Sequence, residues 1–163
     1  MSERIVMERT YRAILEEVWK LWTTKKGIES WWGPEGFSVA VHRLDLRVGG
    51  TLQYTMTATA PEQVAFMQRA GMPLATESTI TYTEVEPQQR LGYELTADFI
   101  PGVQPYPVAI TVSFDLVADG VRMTLVFDAM HDEEWTQRAV MGHQEELNRL
   151  AGVLTAAPGG ETS

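Results

Sequence analysis

The sequence predicts an α+β domain, a curved and mostly antiparallel sheet of about seven strands wrapped on a long C-terminal helix. Three observations lead there. Several stretches alternate apolar and polar residues with the period of a half-buried strand, while Asp132 to Leu154 repeats its apolar residues at helical spacing. Between the first strand and the rest lie two short segments of helical pattern.

Ile5, Met7 and Tyr11 share one side of the first strand, with Glu8 and Thr10 on the other. Ala13 to Thr23 then puts Ile14, Val18, Leu21 and Trp22 on one helical face and turns Glu16, Glu17 and Lys20 outward. Lys25 to Trp32 holds a second short helix, stopped by Gly33-Pro34. Strand pattern returns from Phe37 to about Leu46, breaks at Gly49-Gly50 and resumes over Thr51 to Thr57, where Leu52, Tyr54 and Met56 share a face. Pro61 to Pro73 interrupts the meander with Val64, Phe66, Met67 and Met72, read as an inserted helical turn or lid. Further strands follow at Thr79 to Glu86, Arg90 to Phe99, Val108 to Val117 and Val121 to Phe127, the last two joined through Ala118-Asp119-Gly120.

On the closing helix, Trp135, Ala139, Leu147, Leu150, Val153 and Leu154 form the apolar side, and Gln137, Met141, Glu145, Asn148 and Arg149 the other. His143 and Glu146 fall among the apolar positions, where an unpaired polar group is costly, so they are the first hint of a cavity. The expectation is a single domain over residues 1–155 with a disordered tail at 156–163.

At 163 residues, 44% of them apolar, the chain has material for one sizeable core. A formal charge of −9 opposes nucleic acid and anionic lipid as partners. With no cysteine, no secretory pattern at Met1 to Met7 and no apolar run long enough to span a bilayer, a cytoplasmic protein is expected.

The order and spacing of several motifs carry a family likeness. Val18-Trp19 with Trp22-Thr23, Trp31-Trp32-Gly33-Pro34, Asp45-x-Arg47-x-Gly49-Gly50, Thr83 to Leu91, and a closing Gly142 with Leu147 and Leu150 resemble single-domain proteins named after the activator of the heat-shock protein 90 ATPase, in the START-like (SRPBCC) superfamily. The resemblance covers nearly the whole chain. It implies the helix-grip fold, with a cavity between sheet and long helix. Three departures fall near that cavity: Gly142-His143 where the family usually has Gly-Trp, Glu146 where a small polar residue is usual, and the long Pro61 to Pro73 insertion.

Candidate chemistry centres on a few side chains. Tyr54, Tyr82 and Tyr93 lie on the apolar sides of their strands, as core tyrosines bonded to backbone or as polar handles of a mostly apolar pocket. His143 and Glu146, three apart, are either an acid-base pair or a partly solvated pair at the helix edge. Trp31-Trp32 forms a rim over the cavity mouth or an anchor for the small helices. His42, His131 and His143 lack metal spacing, and Asp132-Glu133-Glu134 suits a helix first turn, so no metal is expected. No phosphate loop or nucleophilic serine motif is present either, and no cofactor is expected.

The first reading is a protein that binds a small, largely apolar molecule, lined by Trp31, Tyr54, Phe66, Met72, Tyr82, Tyr93, His143 and Glu146. The alternatives are a cyclase- or hydrolase-type enzyme using His143 and Glu146, and a chaperone-associated regulator of an ATPase, as the family name suggests. The sequence leaves a homodimer open.

Overall fold

Backbone pairing arranges the strands in one antiparallel sheet ordered β1-β7-β6-β5-β4-β3-β2. The computed structural model describes residues 4–33, 36–97 and 102–156. Its elements are β1 (Arg4–Tyr11), α1 (Leu15–Thr23), α2 (Lys25–Trp31), β2 (Phe37–Leu44), β3 (Thr51–Ala58), α3 (Pro61–Arg69), β4 (Ala75–Glu86), β5 (Arg90–Ala97), β6 (Tyr106–Val117), β7 (Gly120–Asp128) and α4 (Glu133–Ala156). The α+β architecture expected from the pattern, and the helix grip that the resemblance implies, are observed.

Sequential strands from β2 to β7 pair as a meander, and β7 returns beside β1. The two sheet edges, β1 and β2, are joined in sequence by α1 and α2. Contacts of α1 with β7, of α2 with β2, and of α4 with β1, α1 and α2 require the sheet to curve around these helices. At the β2 edge, Val41 N donates to Glu29 Oε2 of α2 at 2.8 Å, so one exposed backbone donor is covered by a side chain.

Local sequence explains the corners. Thr24 closes α1 with its N–H on Lys20 O and opens α2 by accepting from Gly27 N at 3.0 Å. In the β6–β7 hairpin Val117 pairs with Gly120, which has φ of 148°. A Cβ at Gly120 would stand 2.0 Å from Tyr11 O, so the turn needs glycine.

The core lies between the concave face and α4. Cross-strand pairing aligns Ile5, Phe127, Ile110, Tyr93 and Tyr82 in one row across five strands. Leu147 and Leu150 of α4 are buried over the sheet, each contributing roughly 1.5–3 kcal/mol. The same core continues beneath α1 and α2, where Trp22 meets Trp31 at 4.6 Å, Trp32 at 5.8 Å and Phe114 at 6.4 Å between ring centroids.

Some boundaries differ from the pattern reading. β4 begins at Ala75, four residues before Thr79, because pairing with β3 holds the polar run Ala75 to Ser78 as strand. The Pro61 to Pro73 insertion contains a regular helix, α3, with Pro61 in its first turn. The expected end of the fifth strand at Phe99 and nearly all of the expected tail lie outside the described residues. Among the described residues no helix is long and apolar enough to cross a membrane.

Candidate functional site

The middle of α4 brings His143 and Glu146 to the corner formed by the end of α2 and the inner face of the sheet. The reason is helical phase: Leu147, Leu150 and Leu154 bury one stripe, and residues three or four positions away must follow it inward. The His143 and Glu146 side chains retain 18% and 21% of their exposure, with Nδ1 and Oε1 3.4 Å apart. The His143 ring lies against Phe127 at 4.5 Å between centroids. Both polar residues therefore sit on the half-buried side of the helix.

Glu146 reaches further. Its Oε2 accepts from Gly33 N at 2.9 Å, a contact spanning 113 residues of sequence. One turn along, Arg149 donates to the carbonyls of Gly33 at 2.8 Å, Phe37 at 3.3 Å and Trp32 at 3.4 Å. Together these side chains hold both the N–H and the C=O of Gly33. With φ of 88°, and Met56 Sδ 3.0 Å from where a Cβ would stand, this position also favours glycine.

Trp32, held beside Gly33, meets the phenols. Its ring lies 6.0 Å from Tyr54 and 5.9 Å from Tyr93, while Tyr93 pairs across the strands with Tyr82. Burial pushes the Tyr54 phenol above its ordinary range; a hydrogen bond to the Trp32 indole draws it back in part, and the Glu146 carboxylate pushes it up again. Tyr93 is raised well above the ordinary phenol by burial and then by Glu146, and Tyr82 by burial. All three stay protonated and can donate hydrogen bonds.

The predicted site residues thus divide. Tyr54, Tyr82, Tyr93, His143 and Glu146 come to one region. Trp31 is 1% exposed, stacks edgewise on Trp22 and donates from Nε1 to Leu21 O at 2.7 Å, the geometry of an anchor between α1 and α2. Phe66 on α3 is 54% exposed, and Met72 beyond it 50%. Trp32, weighed in sequence only together with Trp31 as rim or anchor, joins Tyr54, Tyr93 and Glu146 at the corner, as do Gly33 and Arg149, which were not singled out in sequence as lining residues. The Trp-Trp-Gly run marks the first two, whereas Arg149 projects onto the opposite side of the helix and gives no signal in sequence.

Between α2 and the outer side of α4, Ser30, Glu145, Asn148, Arg149 and Gly152 line a surface hollow of about 550 Å³. Among the described residues it shares Arg149 with the corner described above.

In chemical terms, the corner offers three neutral phenols, an indole, an imidazole, one carboxylate and the Arg149 guanidinium against an apolar surround. Such a set can orient a bound molecule by a few hydrogen bonds, and the His143–Glu146 pair can hold or move a proton at Nδ1 or Oε1.

Comparison with known structures supports the architecture. A crystal structure of a Chromobacterium violaceum protein matches with a TM-score of 0.72 at 22% identity, covering 92% of this chain and 95% of that one. The solution structure of an AHSA1-like protein from Aeromonas hydrophila matches at 0.71 and 23%, covering 94% and 93%. An AHSA1 protein from Silicibacter pomeroyi matches at 0.72 and 20%, covering 94% and 98%. At these identities the likeness concerns the fold. No curated protein matches the chain. The model of the Activator of Hsp90 ATPase homolog 1-like protein family matches residues 12–157, nearly the full length, and the chain belongs to that family and through it to the START-like superfamily.

Proposed function

We propose that the protein binds a small, largely apolar molecule between the concave face of the sheet and α4. The observation that carries this reading is the convergence of Tyr54, Tyr93, Trp32 and Glu146 on one corner of an otherwise apolar interior. Glu146 has a structural task in holding Gly33 N–H, but a half-buried carboxylate also carries a desolvation cost that apolar packing would avoid. A few polar groups in an apolar surround are, by contrast, what orients a bound ligand. Membership of the START-like superfamily supports the same reading.

A screen of apolar metabolites by thermal shift and native mass spectrometry tests it. A ligand at a hundred times its Kd stabilises the native state by about 2.7 kcal/mol, a readily measured rise in Tm. Tyr54→Phe and Glu146→Ala are expected to weaken the mass adduct. A screen in which no compound raises Tm overturns the reading.

The approach of His143 Nδ1 to Glu146 Oε1 favours a second reading, acid-base catalysis on the bound molecule. Any ligand found is to be incubated with the protein and checked for a product. If His143→Gln leaves product formation unchanged, the pair has no catalytic role.

A further inference from the structure

The ligand-binding reading leaves the polar end of the ligand undefined, and Glu146 supplies a definition that rests on that reading. A carboxylate only accepts hydrogen bonds, at about four lone-pair positions. Oε2 receives Gly33 N–H at 2.9 Å, and Oε1 faces His143 Nδ1 at 3.4 Å, a distance beyond a well-made hydrogen bond. Acceptor capacity therefore remains on a group with 21% side-chain exposure. Gly33 follows Trp32, whose ring meets both Tyr54 and Tyr93, so the negative charge stands at the same corner as two phenols.

The charges around it decide which ligand fits. The Arg149 guanidinium donates to the carbonyls of Trp32, Gly33 and Phe37, which directs it at the backbone of the corner. His143 is committed on one ring face to Phe127. A ligand carboxylate brought here would lie beside Glu146, and two like charges in a partly desolvated corner repel strongly. A ligand ammonium would instead make a charge-assisted hydrogen bond, roughly twice as strong as a neutral one.

We propose that Glu146 makes the site selective for apolar amines over alcohols and carboxylates of the same carbon skeleton. Glu146 is then a specificity-determining residue, and its second task is to hold Gly33. The two tasks separate on substitution, because Glu146→Gln keeps an oxygen for Gly33 N–H and removes the charge.

The test uses octylamine, octanol and octanoate as probes on the full chain. Affinity is measured by titration calorimetry, and the place of binding by the amide resonance of Gly33 and the indole resonance of Trp32. The expected order is amine, alcohol, carboxylate, with amine at least about tenfold tighter than carboxylate. Because a net charge of −9 attracts any cation, Glu145→Gln on the outer side of α4 serves as the control that removes the same charge elsewhere.

Wild type and Glu145→Gln are expected to share the amine preference, and Glu146→Gln to bring amine and alcohol within about twofold of each other. Should Glu146→Gln prove too unstable to measure, wild type against Glu145→Gln still decides. Equal affinities, a carboxylate-first order, or an amine preference lost equally in both variants overturns the inference and leaves ligand binding standing. Absence of binding by all three probes, with no shift at Gly33 or Trp32, counts against the inference and the ligand-binding reading together.

Discussion

Among the described residues tyrosine, histidine and carboxylate meet at the entry to α4 and again at its middle, and the two groups behave differently. At the entry, Tyr106 Oη lies 2.9 Å from His131 Nδ1 and accepts from the His131 backbone N–H at 3.2 Å, while His131 Nε2 faces Asp132 Oδ2 at 3.3 Å. The same phenol lies 3.8 Å from Met130 Sδ, so its one proton has two acceptors in reach. Asp132 also accepts from Trp135 N at 2.8 Å, the bond of a helix N-cap. Apart from the strand residue Tyr106, this group is local and exposed, and it works as helix-start chemistry.

The middle group is assembled over long distances in sequence. Glu146 reaches back to Gly33, and Tyr54 and Tyr93 come from separate strands. Its members are buried or half-buried, and its phenols are shifted. Residue types alone therefore do not mark a site; what distinguishes the two groups is how much water each has lost and how far apart in sequence its members lie.

The largest expected effect is the alkaline titration of the buried phenols. Tyr11, Tyr54, Tyr82 and Tyr93 are all raised above the ordinary phenol, chiefly by burial. Above about pH 10 the unfolded chain releases these protons while the folded chain keeps them, so the folded state binds more protons and stability falls as pH rises. Each buried phenol contributes about 1.4 kcal/mol of loss per pH unit in that range. Unfolding followed by circular dichroism should coincide with the appearance of phenolate absorbance. Ionisation of these four tyrosines while the fold persists would mean that the inner face is wetter than its burial implies.

Next in size is Glu146→Ala. It leaves the N–H of the buried Gly33 without its acceptor and removes the charge beside His143, for an expected loss of about 1–3 kcal/mol in urea denaturation. Glu146→Gln should recover much of that loss through the retained acceptor. A change below about 0.5 kcal/mol for Glu146→Ala would place the middle group in the same class as an exposed pair.

The fold was legible because its signals are periodic. Leu52, Tyr54 and Met56 of β3 and Leu147, Leu150 and Leu154 of α4 announce their faces; Leu52 and the three leucines of α4 are buried, while Tyr54 and Met56 are half-buried, as are Thr55 and Thr57 beside them. His143 and Glu146 were legible for the converse reason, as polar residues in an apolar stripe. The clamp on Gly33 was not, because a bond between residues 33 and 146 depends on how a loop and a helix meet, which no local pattern encodes. The Trp31-Trp32 pair shows the limit most directly. Both indoles were visible as an aromatic pair, but only the end of α2 after Trp31 decides that Trp31 turns to Leu21 and Trp32 to the phenols. Ala75 to Ser78 lacks an apolar face, so only its partner strand reveals it as strand.

The smallest expected effect concerns the entry group. Asp132→Ala removes the cap on Trp135 N and the partner of His131, for about 1 kcal/mol, a typical loss for an N-cap. Because the bonds lost are local, faster hydrogen exchange should be confined to the first turn of α4, with Gly33 and the Trp32 indole keeping their resonances. Thr136, whose hydroxyl accepts from Met130 N and donates to Asp132 O, limits how far the fraying spreads. Were Asp132→Ala to disturb Gly33 as strongly as Glu146→Ala does, the entry would be coupled to the middle of the helix, and the two groups would have to be treated as one polar network along α4. Independence is the physical expectation, since Trp135 and Ala139 pack against the core between them and no chain of polar contacts is needed to seat either end.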